Sequence, residues 1–185
     1  KVCPQVLTLH DAINKAFYDP LRSFSEKWSF EQAYLSSLDK VSQWSSDKII
    51  SVSEHAKKDI HKYYSIPLEK IQVIYEAADP IFSDPINLDA PWEKWEINED
   101  YLFYVGGFES RKNIDFLLQS LAMSESQPLL VLAGGGPEIH QYREKVAKWD
   151  LSKKVKFLGW VEDEDLPLLY KKALAFVYPS LYEGF

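Results

Sequence analysis

From Tyr101 to Ser180 short apolar runs alternate with apolar-periodic stretches of helical spacing, and this rhythm restricts the fold more than any other feature. The runs YLFYVGG, PLLVLAG, VKFLGW and LAFVYPS read as strands. Ile114 to Met123, about His140 to Asp150, and Asp163 to Lys172 read as helices; Leu166, Leu169 and Tyr170 mark the inner face of the last. A strand followed by a helix and another strand cannot close as a hairpin. It needs a right-handed crossover, and repeated crossovers give a parallel sheet covered by helices. The pattern therefore predicts a three-layer α/β domain.

A second set of elements lies upstream. Val6 to Leu9 reads as a short buried strand, with His10 and Asp11 at its carboxyl end. Phe24, Trp28, Tyr34, Leu35, Leu38 and Val41 fall at roughly helical spacing and predict one or two amphipathic helices. Lys48 to Val52 is the next strand. Ser53 can cap the helix EHAKKDIHKYY, Ile66-Pro67 ends it, and KIQVIY is a third strand. The stretch EAADPIFSDPINLDAPWEKWEINED has three prolines and little periodicity, so it reads as a linker, with Trp92 and Trp95 anchoring it. The expected domains are residues 1–85 and 86–185, with the boundary near residues 80 to 95.

Composition excludes several classes. With 185 residues, 46% of them hydrophobic and 26% charged, the chain can bury a core and is not expected to be disordered. A net charge of -7 argues against a large basic nucleic-acid surface. Cys3 is the single cysteine and fits a reducing compartment. No run reaches the length of a membrane span. The chain opens on Lys1 and stops within YPSLYEGF, so it is read as an internal stretch of a longer protein, incomplete in both domains.

Lys112 leads the candidate residues. It follows the strand YLFYV and the paired Gly106 and Gly107, and it precedes a helix start near Asn113. An ammonium there can hold a phosphate, aided by the free N–H groups of the helix. Arg111 could bind one bidentately, although adjacent residues seldom face the same way. A solvated pair at a helix start is the plainer reading. Gly134, Gly135 and Gly136 form either a plain turn or a close approach to a ligand; neither GxxxxGK[ST] nor GxGxxG in context is present. His10 could donate a hydrogen bond or act as acid or base, but a structural histidine is commoner. Glu183, in the loop beyond LAFVYPS, could accept hydrogen bonds from sugar hydroxyls or stand as a surface carboxylate. No Cys/His cluster supports zinc, and no GxSxG supports a serine hydrolase.

Taken together, the stretches LHD, ISVSEHAKKDI, YVGGFESRKNIDFLLQSLA, LLVLAGGGPE and VKFLGWVEDEDLPLLYKKALAFVYPSLYEGF resemble the retaining, nucleotide-sugar-dependent glycosyltransferases of family 4, or group 1. The resemblance implies the GT-B fold: two Rossmann-like domains, with the site in the cleft between them and the sugar nucleotide on the C-terminal domain. It implies that Lys112 contacts the donor diphosphate. The family's usual partner, an arginine just after the strand glycine, is replaced by Gly107, and Arg111 is the nearest cation. The resemblance also places Gly159, Trp160 and Val161 near the base, through backbone contacts. Glu183 matches the first glutamate of the family's E-x7-E pair, on the transferred sugar. His10 matches the histidine that reaches the sugar from the other domain, and Ala77 replaces a hinge glycine. Charge on the departing diphosphate would be stabilised by Lys112, Arg111 and the helix N-terminus, so neither metal nor cofactor is expected.

The function expected from the resemblance is transfer of a hexose, mannose by slight preference, from a GDP-sugar or UDP-sugar to a saccharide or lipid-linked acceptor. The chain would be cytoplasmic, with any peripheral contact at the inner face of the membrane made by a segment preceding Lys1. Two other readings stand beside it: a non-catalytic nucleotide-binding remnant of a truncated gene, and a sugar-nucleotide epimerase of the same architecture.

Overall fold

The computed structural model describes residues 3–18, 45–83, 92–126 and 128–185. The helices predicted through Phe24 and Val41 lie outside these residues. The chain divides into two compact units: Lys1–Ala77 with Tyr182–Phe185, and Ala78–Leu181.

In the first unit three short strands, β1 (Val6–Leu9), β2 (Lys48–Ser51) and β3 (Ile71–Val73), lie parallel in that order. Val6 stands opposite Lys48, and Ile49 opposite Ile71. Helix α1 (Glu54–Tyr64) connects β2 to β3. The Ser53 side chain accepts from the Ala56 N–H at 3.0 Å, which satisfies one of the amides that a helix start leaves open. Ser65, at φ 58°, ends the helix two residues before Pro67. The apolar stripe of α1 delivers Ile60 to a core of Ile49, Ile66 and Ile71. Tyr182–Phe185 packs on the same unit. Ser53 Oγ donates to the Gly184 carbonyl at 2.5 Å, Tyr182 Oη donates to the Asp59 carboxylate, and Phe185 meets Tyr75 edge-on.

The second unit is the predicted α/β domain. Its strands are β4 (Tyr101–Val105), β5 (Leu129–Ala133), β6 (Val155–Gly159) and β7 (Ala175–Phe176), all parallel, in the order β6-β5-β4-β7. Helices α2 (Ile114–Met123), α3 (Ile139–Lys148) and α4 (Leu166–Lys172) form the crossovers. Every residue of β5 is buried, as a strand covered on both faces requires. Side chains alternate between two cores. Tyr104, Leu130 and Leu132 pack with Ile114 and Leu118 of α2 and Tyr142 and Val146 of α3. Phe103, Val131 and Ala133 point the other way, toward Ile97, Val161 and Leu169, with Trp92 and Trp95 closing the edge. The two tryptophans therefore anchor the linker's end, as expected: Trp92 stacks on Tyr101 and donates through its indole N–H to the Ile97 carbonyl at 3.0 Å.

Helix α4 is shorter than the predicted Asp163–Lys172, because Asp163–Asp165 form a tighter turn ahead of Leu166-Pro167. Proline suits the first turn of a helix, where its missing N–H costs nothing. Among the described residues no helix is long and apolar enough to cross a membrane.

Tyr142 is buried in the first core, and its phenol is pushed up from an ordinary 10.0 to about 12, by desolvation first and then by the nearby charges of Asp115 and Glu138. The folded state thus holds the neutral phenol more firmly than the unfolded chain does. Its contribution is complete below pH about 10 and is lost as pH rises toward 12. Denaturant titrations across that window are expected to show falling stability, and Tyr142→Phe should flatten the fall by roughly 1 kcal/mol.

Candidate functional site

Three strands of the second unit end at glycines with positive φ, a conformation that favours glycine. Gly106 follows β4 at φ 155°, Gly134 follows β5 at φ 97°, and Gly159 closes β6 at φ 73°. The backbone ladder continues through them: Gly106 N–H donates to Ala133 O at 3.2 Å and Gly134 N–H to Gly159 O at 2.6 Å. A Cβ on Gly134 would lie 2.1 Å from the Gly106 carbonyl oxygen. The carboxyl edge of the sheet is therefore drawn tight.

Lys112 ends a short 3-10 turn, Ser110–Lys112, between β4 and α2. Its side chain is 7% exposed; Nζ donates to Tyr178 Oη and sits 4.7 Å from the centre of that ring. Asn113 takes the left-handed conformation at φ 58°, which turns the chain into α2 at Ile114. Its side-chain amide donates to the Pro179 carbonyl at 3.1 Å. The carbonyl of Arg111 accepts from the Leu181 N–H at 2.8 Å and from Ser180 Oγ at 3.2 Å. Four contacts thus fasten the loop before α2 to the loop after β7.

The strand order explains why these two loops meet at a useful place. The chain leaves β4 by α2 toward β5 on one side, and returns by α4 to β7 on the other. Crossovers that part from adjacent strands leave a crevice at the carboxyl edge, where α/β sheets bind their ligands. Lys112 and Tyr178 come from its two flanking loops, and α2 starts there with no side-chain cap on its first N–H groups among the described residues. Lys112, Arg111, Gly106 and Gly107 are all brought to this edge. Gly159 is at the end of β6, where Val161 is buried in the core and the Trp160 ring is 78% exposed.

Gly107 stands where the resemblance leads one to expect arginine, and a neighbour accounts for the space. A Cβ at residue 107 would lie 2.5 and 2.6 Å from the Glu109 carboxylate oxygens. Glu109 Oε2 and Glu138 Oε2 are buried without a hydrogen-bond partner among the described residues. Both follow the glycine turns, and nothing in their local sequence marked them.

His10 and Glu183 belong to the first unit. His10 follows β1, is 68% exposed, and places Nδ1 3.1 Å from Glu76 Oε1. No sequence spacing could reveal that partner, 66 positions away beyond β3. Glu183 lies between Tyr182 and Gly184, and a Cβ on Gly184 would come within 2.7 Å of Asp11 Cβ and 3.0 Å of the His10 carbonyl oxygen. The backbone at Gly184, the residue after Glu183, thus lies against the His10–Asp11 segment. Among the described residues no three His, Cys, Asp or Glu side chains group as metal ligands. An apolar hollow of 180 Å³ lined by Leu102, Leu117, Leu121 and Leu130 opens at the opposite ends of the strands, away from the cations.

Two Rossmann-like parallel sheets, the second with its cation at the switch point, define a GT-B-type chain. Residues 91–185 match the model of the glycosyl transferases group 1, and residues 1–81 that of glycosyltransferase family 4. The chain belongs to this family. It is 35% identical over 182 residues to the O-antigen chain mannosyltransferase RfbU of Salmonella typhimurium, covering 98% of this chain and 47% of that protein. It is 32% identical over 149 residues to O-antigen chain mannosyltransferase B of Escherichia coli, covering 76% and 39%. The chain thus spans less than half the length of these relatives. Among solved structures, Anabaena HepE in complex with UDP and glucose superposes with TM-score 0.72 at 19% identity, over 96% of this chain and 46% of that one. Sucrose-phosphate synthase from Thermosynechococcus elongatus gives 0.73 at 22%, over 97% and 45%.

Gly134→Ala tests the tightness of the edge. The contact with Gly106 and the positive φ should together cost about 2–4 kcal/mol of unfolding free energy, read by urea denaturation.

Proposed function

We propose that the protein is a retaining glycosyltransferase that moves a hexose from a nucleoside-diphosphate sugar to a saccharide or lipid-linked acceptor. The observation that carries the reading is Lys112, held by Tyr178 at the switch point one residue before the turn into α2. When the anomeric C–O bond breaks, negative charge develops on the departing diphosphate. A fixed ammonium stabilises that charge without having to reorganise, and the N-terminus of α2 adds partial positive charge. Arg111 is the second cation we assign to the diphosphate. Gly106 and Gly107 let the ligand approach the backbone, and the segment Gly159–Val161 is assigned to the base through main-chain groups.

The glutamate and the histidine are assigned to the hexose: Glu183 accepts from its hydroxyls, and His10 hydrogen-bonds it through the ring nitrogen not turned toward Glu76. Mannose is our preferred sugar, supported by the two O-antigen mannosyltransferases among the relatives. UDP and glucose in the HepE complex support keeping uridine and guanosine donors, and glucose, in the same assay.

The assignment is tested by calorimetric titration of UDP and GDP. Lys112→Ala should weaken the diphosphate that binds by about 10- to 100-fold. Glu183→Gln should change that affinity by less than about threefold and lower hexose transfer by about 100-fold, since it removes contacts to the sugar alone. Unchanged diphosphate binding in Lys112→Ala would overturn the reading.

A further inference from the structure

We propose that Tyr178 is a further anion ligand of the same crevice, which accepts a hydrogen bond from Lys112 and donates its own phenolic proton to the diphosphate. The inference rests on the assignment of Lys112 above. Its first support is an inventory of donors. An ammonium can only donate, so in the Lys112 Nζ–Tyr178 Oη contact the tyrosine oxygen is the acceptor. The phenolic hydrogen of Tyr178 must then point elsewhere. Tyr178 is 40% exposed, so that proton is available to a ligand at the carboxyl edge of the sheet.

The second support is rigidity. The Tyr178 ring is stacked between two others, Tyr104 at 5.6 Å and 18° and Phe176 at 5.6 Å and 22°. Tyr104 is fully buried, and its own hydroxyl donates to the Gly107 carbonyl at 2.6 Å. Gly106 leaves room for this stack: a Cβ there would lie 2.9 Å from Tyr104 Oη and 3.6 Å from the Tyr178 ring. The hydroxyl of Tyr178 is therefore fixed by ring packing and by the Pro179–Asn113 and Ser180–Arg111 contacts that follow it. A preorganised donor loses little freedom when it binds. The third support is polarity. An ammonium hydrogen-bonded to the phenolic oxygen draws electron density from the O–H and makes it a better donor toward an anion.

Tyr178→Phe separates this role from simple space-filling, because it keeps the ring, the stack and the cation–π contact and removes only the hydroxyl. UDP and GDP are titrated against the protein, Tyr178→Phe, Lys112→Ala and the double variant, with uridine and guanosine as phosphate-free probes and thermal unfolding as the folding check. The expected result is a loss of about 5- to 20-fold in diphosphate affinity for Tyr178→Phe, with nucleoside binding and the melting temperature unchanged. In the Lys112→Ala background the same substitution should cost less than in the parent, since the polarising ammonium is gone. Diphosphate binding within twofold of the parent would overturn the role of Tyr178, provided Lys112→Ala still loses affinity. Equal losses for nucleoside and diphosphate would overturn it too, as a general disturbance of the crevice. No loss in Lys112→Ala would remove the assignment on which the inference rests.

Discussion

The parallel pairing of β4 with β5 on one side and β7 on the other is the constraint on which the rest of the second unit depends. All its strands run the same way, so all their carboxyl ends, and the loops that follow, gather along one edge. Since β4 is central, its two neighbours are reached by crossovers that depart in opposite directions. The crevice at that edge is a consequence of connectivity, before any side chain is considered. Continuing the ladder past the strands needs Gly134, whose N–H reaches Gly159 and whose missing Cβ lets the Gly106 carbonyl come close. A fully buried β5 then allows no slip in register, because a slip would turn the faces of β4 and β5 into the wrong cores.

Tyrosine links these cores to the loops. The chain is 15% aromatic, and in the second unit many of the rings serve twice. Tyr101 fills the core around Phe103 while its hydroxyl reaches the Leu169 carbonyl at 2.6 Å, and burial pushes its phenol well above the usual range. Tyr104 fills the opposite core while its hydroxyl holds the Gly107 turn. A phenylalanine would bury similar apolar area but would leave those carbonyls without these donors. The same logic places Tyr178 at the crevice with a ring that packs and an oxygen that meets Lys112.

The first unit uses polar contacts of a different range. Its sheet is short, and the residues after its strands are secured by partners far away in sequence: His10 by Glu76, and Gly184 by Ser53. Ser53 is doubly committed, capping α1 through its acceptor lone pair and holding Gly184 through its proton. The buried Gly184 leaves no space for a side chain against Asp11, so Glu183 is carried on a segment fixed at both neighbours, Tyr182 on Asp59 and Gly184 on Ser53.

The sequence by itself determined the α/β class, the order of strands and helices after residue 100, the Ser53 cap, and the position of Lys112 between β4 and the helix start, because these follow from periodicity and from local backbone chemistry that spans a few residues. Strand ends were less legible: β7 is two residues long where LAFVYPS suggested a longer run, since pairing with β4, rather than apolar content, sets its length. The partners of the site residues were not legible at all. Tyr178 looked like one more strand aromatic, and Glu76 like part of a linker. Each acquires its role from a neighbour across the sheet or across a crossover, and contacts between residues 66 positions apart leave no trace in local spacing. Only the tertiary structure could decide them, because the close approach of two loops is a property of how strands are ordered in a sheet and not of either loop alone.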